Sequence, residues 1–294
     1  MPSNTLHPHT NAVGPRVFSV VVFYNPSDAD VATAVTAAER IGPVVAVANM
    51  VSEAQRERLA RAASLTLIDN RANLGLARAL NQGLEAAMAQ GADYVLLLDQ
   101  DSRPDLEMLP ALVAAARCRE RDGQRIGCIA PRLRDRKLPN VQVGAKADRV
   151  ETVATSGSLI TRGAWETVGP MREDLFIDGI DHEWCFRARS RGFETVIAEE
   201  IILNHDMGTG AVNFFGRFKP IQTSPVRHYF ITRNTLWLAR CDYIPWGWRL
   251  KELAKTVYRA PFYLMASRNR LKSLRNLLHG VVDGLFVTKM GPVY

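Results

Sequence analysis

The sequence is poor in cysteine and contains no long apolar run. The four cysteines are Cys118, Cys128, Cys185 and Cys241. They lack the Cys-x-x-Cys spacing of zinc sites and the density of a disulfide framework. Reduced thiols in a cytosolic protein are therefore the simpler interpretation. No stretch of about eighteen consecutive apolar residues is present, which argues against a membrane-spanning helix.

A secretion signal is also missing. Residues 1–15 contain no basic segment followed by an apolar one, so we expect a disordered tail and no export. Of the 294 residues, 47% are hydrophobic, which suits a folded protein with a sizeable core. Lys+Arg 37 against Asp+Glu 30 give a net charge of +7. This charge favours anionic partners such as nucleotides, anionic lipids or nucleic acid, without choosing among them.

Strand and helix patterns alternate along the first half of the chain. Apolar, β-branched segments predict strands at 17–23, 44–48, 65–68, 94–98 and 126–131. Helical patterns lie between them at 28–40, from an N-cap at Ser52 to 63, at 73–90 and at 104–121. Such alternation predicts right-handed crossovers and an α/β fold with a mostly parallel sheet flanked by helices.

The fourth strand stops abruptly at two acids, Asp99 and Asp101. Loops after parallel strands share the carboxyl edge of the sheet, where ligands bind in such folds. An Asp-x-Asp turn can give oxygen ligands to a divalent cation that also binds phosphate oxygens. Alternatively, the two acids are ordinary turn residues before a helix that begins near Pro104. The local sequence leaves both interpretations open.

A second acidic segment includes Asp178, Asp181 and Glu183 and overlaps a predicted helix at 181–191. Helix capping and interaction with the helix dipole explain one or two such acids. Acids in this number, beside Trp184, are more than a cap requires, so a functional role is favoured.

The second half of the chain has less regular patterns. Residues 132–151 predict a hairpin or a loop excursion, and 153–160 predict a strand interrupted by Ser156-Gly157-Ser158, where a backbone or a ligand could come close. A strand at 196–202 leads to His205 in a polar loop. A helix at 227–240 is expected to bring cations, Arg233 among them, back towards the sheet edge.

From Trp246 onward, basic residues alternate with aromatic and apolar ones. This composition is typical of amphipathic helices that lie on an anionic membrane surface. A basic helix pair that packs on the core and exposes its charged side explains it equally well. We therefore treat 241–294 as a basic, amphipathic helical region and leave both interpretations open.

Taken together, these segments resemble the inverting family 2 glycosyltransferases with the GT-A fold. Within that family the resemblance is greatest to bacterial rhamnosyltransferases that build surface polysaccharides. It covers about 17–240 and implies a glycosyltransferase domain at 16–240. The motifs that carry it are Tyr24-Asn25-Pro26, Asn73-x-Gly75 with Asn81-x-Gly83, Asp99-Gln100-Asp101-Ser102, Ser156-Gly157-Ser158, Phe176-Ile177-Asp178 with Asp181-x-Glu183-Trp184, His205, and Tyr229 with Arg233-Asn234.

The resemblance implies a role for each motif. Asp99 and Asp101, completed by His205, would bind Mg²⁺ or Mn²⁺ on the donor diphosphate. Asp181 would be the catalytic base. The nucleotide-sugar donor would contact Tyr24, Asn25, Asn49, Asn73, Asp99, Gln100 and Asp101. The sugar and acceptor side would be lined by Ser156, Gly157, Ser158, Asp178, Glu183, Trp184 and Arg233. One departure is Ala48-Asn49, since relatives usually have an Asp there that reads the pyrimidine base.

The implied reaction moves L-rhamnose from dTDP-L-rhamnose onto a hydroxyl of a lipid-linked or surface-polysaccharide acceptor. We therefore expect an anionic membrane surface as a partner, and a peripheral position on the inner face of the bacterial plasma membrane. No nucleic-acid partner is expected, since no recognisable reading module is present. A homo-oligomer is left open.

Two other classes of protein share some of these features. Phosphatases of the haloacid dehalogenase type also have a strand that ends in Asp-x-Asp, but theirs opens the domain, whereas here three strand–helix units precede it. The second alternative is a non-catalytic subunit that binds a nucleotide sugar. Intact acids at Asp99, Asp101 and Asp181 argue against that alternative.

Overall fold

A computed structural model of the chain describes residues 14–135, 142–143, 148–205, 210–214, 217–221 and 223–287. The strands of the first half are β1 Val17–Tyr24, β2 Val44–Met50, β3 Leu65–Asp69, β4 Tyr94–Asp99 and β5 Ile126–Asp135. The helices between them are α1 Asp28–Arg40, α2 Glu53–Ala60, α3 Leu76–Ala89 and α4 Met108–Arg121.

The second half contains shorter strands and more helices. Its strands are β6 Gln142–Val143, β7 Arg149–Val150, β8 Leu159–Thr161, β9 Glu194–His205, β10 Gly210–Phe214 and β11 Arg217–Ile221. Its helices are α5 Arg162–Val168, α6 Ile180–Ser190, α7 Pro225–Leu238, α8 Trp246–Ala266 and α9 Arg270–Phe286, with a 3₁₀ turn at Glu173–Leu175.

One central sheet organises the described part of the chain. Its strand order is β3-β2-β1-β4-β8-β5-β9-β7, with β6 paired to β5. The strands β1 to β4 are parallel, as are β5 and β9, whereas β8 enters between β4 and β5 in the antiparallel direction. The predicted α/β fold is confirmed: a mostly parallel sheet flanked by helices, with helices at the C-terminal end.

Strand β4 shows why the sequence has an apolar run before the two acids. Val95 and Leu97 lie in one core layer and Leu96 and Leu98 in the other, and all four are buried. Helix α3 covers the first layer, while α1 and α4 cover the second. A strand covered on both faces needs apolar residues at every position, which is the pattern of buried parallel strands.

Local capping explains why the first helices begin where the sequence predicts. Ser27 and Asp30 form a capping box at α1, whose bounds agree with the prediction, and Ser52 caps α2 in the same way. Helix α3 begins later than predicted. The Asn73 side chain accepts a hydrogen bond from the Gly75 N–H (3.1 Å), and Gly75 has φ +88°, so these residues form a loop before the helix.

Other predicted segments, in the second half of the chain, also differ from the structure. The strand predicted at 153–160 is limited to β8, because Gly157 adopts φ +84° and the residues before it form a turn. Strands β5 and β9 are longer than predicted because they pair with each other as far as Asp135 and His205. In the predicted hairpin or loop excursion at 132–151, the first residues continue β5, and Leu133 and Arg134 pair antiparallel with Val143 and Gln142 on β6, as in a hairpin. Residues 136–141 and 144–147, like the tail up to residue 13, lie outside the described residues.

Helix α9 packs closely against α7 through small residues. A Cβ added to Gly280 would lie 2.7 Å from the Tyr229 carbonyl oxygen, and one added to Gly284 would lie 2.6 Å from Leu236 Cδ1. One face of the C-terminal region is therefore part of the folded core. Among the described residues, no helix combines the length and the apolar character needed to cross a membrane.

Candidate active site

The carboxyl ends of β1 and β4 lie side by side at one edge of the sheet. Val22 on β1 is the register partner of Asp99 on β4. The backbone N–H of Tyr24 donates to Gln100 Oε1 (2.8 Å), which connects the loops that follow the two strands. Asn25 comes next, with a left-handed backbone (φ 47°). The structure thus brings together the donor-side residues predicted from these two loops.

A serine from a distant segment, Ser156, supports the backbone of Asp99. Its N–H lies 3.4 Å from Ser156 Oγ, and that hydroxyl lies 2.6 Å from the hydroxyl of Ser102. Both serines are buried. The N–H of Gly157 donates to the Leu97 carbonyl (2.8 Å). Part of the predicted sugar side is therefore attached to the Asp-x-Asp turn by hydrogen bonds.

Gly157 lies where a larger residue would not fit. An added Cβ would lie 2.8 Å from Leu203 Cδ2 and 2.9 Å from Pro131 Cγ, and φ is +84°. The buried hydroxyl of the next residue, Ser158, donates to the Ala154 carbonyl. These contacts give the segment a structural role, and its contact with a sugar stays a prediction.

Arg103 anchors the turn after β4 to helix α1. Its Nη2 lies 2.7 Å from Asp30 Oδ1, and its Nη1 donates to the carbonyl oxygens of Gln100 and Ser102 (3.3 and 3.1 Å). Burial alone would raise the pKa of Asp30, but hydrogen bonds from Arg103 and Ser27 lower it below its usual value. The turn that carries Asp101 is therefore fixed on both sides.

An amide network shapes the predicted nucleotide side. Asn49 is buried, and its Nδ2 donates to the Gly75 carbonyl (3.1 Å) and to Asn73 Oδ1 (3.4 Å). Its Oδ1 accepts from Asn70 (2.9 Å), which in turn exchanges two hydrogen bonds with Gln82. Because these amides satisfy one another, Asn49 and Asn73 fix the loop between β3 and α3. Direct contact with a nucleotide stays a prediction for both.

A strained turn at 176–179 precedes α6. Phe176, Asp178 and Gly179 have φ of 63°, 67° and 84°. A left-handed backbone costs roughly 1–3 kcal/mol for a residue with a Cβ, so the turn needs support from its surroundings. Helix α3 gives part of that support, because the Leu76 N–H donates to the Phe176 carbonyl (2.7 Å).

Helix α7 supports the same turn from the other side. The side-chain nitrogen of Asn234 lies 2.9, 2.8 and 2.7 Å from the carbonyl oxygens of Leu175, Ile177 and Asp178. Arg233 is buried and donates to the Leu175 carbonyl (3.1 Å). Arg233, predicted for the acceptor side, thus bonds to the backbone that leads into the turn.

Asp181, the predicted base, lies half-buried in the first turn of α6, where its Oδ1 accepts from the N–H of His182 (2.9 Å). The His182 ring lies 2.9 Å from Thr152 Oγ1 and packs edge-on against Trp248. Asp181 and Cys185 lie four residues apart on α6 and so share one helix face. Burial, with the charge of Asp181 as a smaller cause, raises the pKa of the Cys185 thiol to about 12.

Glu183 and Trp184 lie inside the protein. The Glu183 side chain is 0% exposed, pairs with Arg187 (2.7 Å), and accepts from the Tyr243 hydroxyl (2.7 Å). Trp184 is buried and donates through Nε1 to the Gly169 carbonyl (3.1 Å). Both residues thus have protein partners, and their predicted contact with a sugar is not visible in this arrangement.

The acids after β4 fit a cation that is shared with a ligand. Asp99 and Asp101 are both half-buried carboxylates, and Mg²⁺ commonly binds through one or two carboxylates together with substrate phosphates. Within the described ranges, no three His, Cys, Asp or Glu residues gather into a complete metal site. His205 ends β9, but its side chain lies outside the described part of the structure.

Arg227 lies in the site, although no sequence motif assigns it a role. Its guanidinium donates to both carboxylate oxygens of Asp178, with 3.0 Å between Nε and Oδ2. Arg227 and Asn234 lie seven residues apart on α7 and therefore share one helix face. That spacing, in a helix already expected to carry cations towards the sheet edge, is the signal that could have identified both.

Comparison with known proteins shows similarity to glycosyltransferases. Residues 45–148 match the family model described as "Glycosyl transferase family 2". Over 283 residues, the chain is 27% identical to a dTDP-rhamnosyl transferase, RfbF, of Shigella flexneri. That alignment covers 92% of this chain and 95% of the relative.

The similar solved structures are more distant. One is a 4-diphosphocytidyl-2C-methyl-D-erythritol synthase, with 12% identity and a TM-score of 0.40 over 64% of this chain and 90% of that one. Another is a mannose-1-phosphate geranyltransferase from Thermus thermophilus, with 12% identity and a TM-score of 0.39 over 63% and 74% of the two chains. At these scores neither structure supports an argument about function.

The buried pair of Glu183 and Arg187 predicts a stability effect. Replacing Glu183 by alanine leaves the Arg187 charge buried without its partner, so we expect the free energy of unfolding to fall by about 3–5 kcal/mol in urea titrations. As a control, Glu166→Ala removes a more exposed ion pair with Arg162. This change should alter the free energy of unfolding by less than about 1 kcal/mol. A Glu183→Ala protein of wild-type stability that has lost activity would instead point to a contact with substrate.

Proposed function

We propose that this chain, which is similar to family 2 glycosyltransferases and to a dTDP-rhamnosyl transferase, transfers L-rhamnose from dTDP-L-rhamnose to an acceptor hydroxyl with inversion at the anomeric carbon. The family match and the relative both support sugar transfer. The proposed donor is the one that the relative's name gives. The acceptor we propose is a lipid-linked or surface saccharide.

The position of the turn before Asp181, relative to the acids after β4, supports the proposal independently of the family match. The turn that leads to Asp181 lies at the same sheet edge as the acids that follow β4, although about eighty residues separate them. Arg227 connects the two sets, since it bonds to Asp178 and the charge of Asp99 acts on it. A site that activates an acceptor hydroxyl beside a diphosphate needs this juxtaposition of a base with cation-binding acids.

Asp99 and Asp101 would hold Mg²⁺ or Mn²⁺ against the diphosphate of the donor. When bound, such a cation offsets the negative charge that develops on the departing nucleoside diphosphate. The hydrogen bond from the Asp99 N–H to Ser156 Oγ and the anchoring of the turn by Arg103 would hold the backbone that carries the two carboxylates.

Asp181 would accept the proton of the acceptor hydroxyl. The hydroxyl oxygen forms a bond to the anomeric carbon as the bond from that carbon to the diphosphate oxygen breaks on the opposite face. The sugar configuration is thereby inverted in a single displacement. The N–H of His182, which donates to Asp181 Oδ1, leaves the other carboxylate oxygen to take the proton.

The alternatives receive less support. A phosphatase of the haloacid dehalogenase type has its acidic strand first, whereas here β4 follows three strand–helix units. The family match and the rhamnosyl transferase relative both favour sugar transfer over simple phosphate release. A non-catalytic binding subunit would need neither Asp181 nor the supported turn before it.

Replacing the base should separate binding from turnover. We expect Asp181→Asn to fold and to bind dTDP-rhamnose with Mn²⁺ as the wild type does, while the transfer rate falls by about 10²–10⁴-fold, the usual contribution of general base catalysis. Rates are measured by release of dTDP in the presence of acceptor. Asp122→Asn, an exposed acid at the end of α4, is the matched control and should retain full activity.

Near wild-type transfer by Asp181→Asn would remove Asp181 as the base. Loss of donor binding in that variant would assign the residue to the donor side and would equally contradict the role proposed for it.

The C-terminal helices supply a surface for a lipid-bound acceptor. Away from the face that packs on α7, helix α9 exposes Leu271, Leu274, Leu278, Val281 and Leu285 at heptad-like spacing. Basic residues flank this stripe at Arg268, Arg270, Lys272 and Arg275. An apolar stripe beside cations fits an anionic membrane surface, and we propose that the protein meets its acceptor there.

Vesicle binding tests this surface. Replacing Leu274 and Leu278 by aspartate should weaken co-sedimentation with phosphatidylglycerol vesicles at least about tenfold, because each leucine loses an apolar contact with lipid worth roughly 1.5–3 kcal/mol. Leu106→Asp, an equally exposed leucine elsewhere in the chain (44% against 41% for Leu274), is the control. Unchanged binding of the double variant, or equal binding to neutral phosphatidylcholine vesicles, would contradict an anionic lipid surface at α9.

A further inference from the structure

Arg227 and Asp178 form a two-point contact at the carboxyl edge of the sheet. Arg227 Nε donates to Asp178 Oδ2 at 3.0 Å, and Nη2 donates to Oδ1. Paired N–H···O bonds of this kind fix the orientation of both groups in addition to attracting them. The Arg227 side chain is 34% exposed and the Asp178 side chain 16%. The pair is therefore partly shielded from water, and the contact is stronger than an ordinary surface ion pair.

Helix α8 lies near this pair. Tyr263 on α8 is buried, and the His228 ring stacks on it with 4.4 Å between ring centroids. Burial raises the pKa of the Tyr263 hydroxyl, the charge of Arg259 and its hydrogen bond oppose that shift, and the charges of Asp178 and Arg227 act on the hydroxyl to a smaller extent. The C-terminal region is therefore a neighbour of the pair.

The charge of Asp99 also acts on Arg227. Burial opposes the charge of the guanidinium, but the bond to Asp178 and then the negative charges of Asp178 and Asp99 raise its pKa. Arg227 therefore bonds to the turn before α6 and also interacts electrostatically with the acid at the end of β4. A permanent cation at this place reduces the repulsion between the two acids.

The pair acts on a part of the backbone that is under strain. Asp178 has φ 67°, and its carbonyl accepts from Asn234 (2.7 Å) while its carboxylate is bound by Arg227. Both anchors come from the same face of α7. Gly179, the N-cap of α6, and then Asp181 in the first helical turn follow directly. A rotation of the turn towards ordinary backbone angles would therefore reorient Asp181.

We propose that Arg227 is a positioning residue: through its pair with Asp178 it fixes the turn at 176–179 and, with it, the direction in which Asp181 faces the acceptor hydroxyl. This rests on the proposed role of Asp181 as the base. Arg227 acts through Asp178 and makes no contact with the donor.

Four variants test this role: Arg227→Met, Asp178→Asn, the double variant, and Arg162→Met as the control. Arg162 matches Arg227 in exposure (31% against 34%) and in pairing with an acid, but its backbone N–H bonds to Asp93 at the opposite end of β4. Two quantities are measured in each protein. They are hydrogen–deuterium exchange of the peptide that spans 174–181, and steady-state kinetics of transfer from dTDP-rhamnose.

We expect hydrogen–deuterium exchange over 174–181 to be faster than in the wild type for Arg227→Met and Asp178→Asn, and unchanged for the Arg162→Met control. The kcat should fall on the order of 10²-fold, the effect of misplacing a reacting group by about 1 Å, while the donor KM changes less than about threefold. The kcat of the double variant should match that of each single variant within about threefold, because all three variants remove the same contact. If Arg227→Met does not fold, Arg227→Lys replaces it, because lysine keeps the charge but cannot form the paired contact. Its exchange rate over 174–181 should lie between those of the wild type and Asp178→Asn.

Unchanged exchange in Arg227→Met overturns the proposal whatever the kinetics. Losses that multiply in the double variant, or a large rise in donor KM, also overturn it, because they indicate a direct contact between Arg227 and the donor diphosphate. Faster exchange with wild-type kcat overturns the link to Asp181. In that case the Asp181→Asn rate shows whether the base assignment fails as well or only the positioning role.

Discussion

The site depends on a turn that the chain would not adopt without support. Phe176 and Asp178 are both left-handed, at a cost of roughly 1–3 kcal/mol each. Hydrogen bonds from α3 and from Asn234 on α7, each worth about 1 kcal/mol, offset that cost. The turn thereby fixes where α6 begins, and so where Asp181 lies relative to the acids that follow β4. In the proposed reaction, those two groups of acids act on one substrate pair.

The C-terminal helices extend this support outward. Gly280 and Gly284 let α9 approach α7 closely, and the Tyr229 hydroxyl donates to Asp283 across the same contact (2.7 Å). Helix α8 adds Trp248 against His182. One face of the region therefore packs on the core, and the other leaves an apolar stripe exposed. Of the two interpretations that the sequence left open, core packing applies to the face of α9 that contacts α7, and the lipid surface stays a proposal for the exposed stripe.

The sequence predicts features that depend on local interactions and misses those that depend on distant ones. The bounds of α1 are correct because Ser27 and Asp30 cap it within one turn. The length of β9 depends on pairing with β5, which no local pattern encodes. The same limit applies to the site. An acid after a buried strand identifies Asp99, but nothing near Glu183 indicates that Arg187 and Tyr243 enclose it. Arg227 also pairs with a residue about fifty positions away, Asp178, which no local pattern indicates. Only its spacing from Asn234 on α7 can be recognised in the sequence.

The central claim is that the acids after β4 bind the donor through a divalent cation at an edge that Asp181 shares. Calorimetric titration of dTDP-rhamnose into the wild type and into the Asp99→Ala/Asp101→Ala variant, each with and without Mn²⁺, tests it most directly. We predict measurable binding only for the wild type with Mn²⁺, since the diphosphate then shares its cation with the two carboxylates. Equal binding by the folded variant, or binding by the wild type that does not change when Mn²⁺ is removed, would contradict the claim.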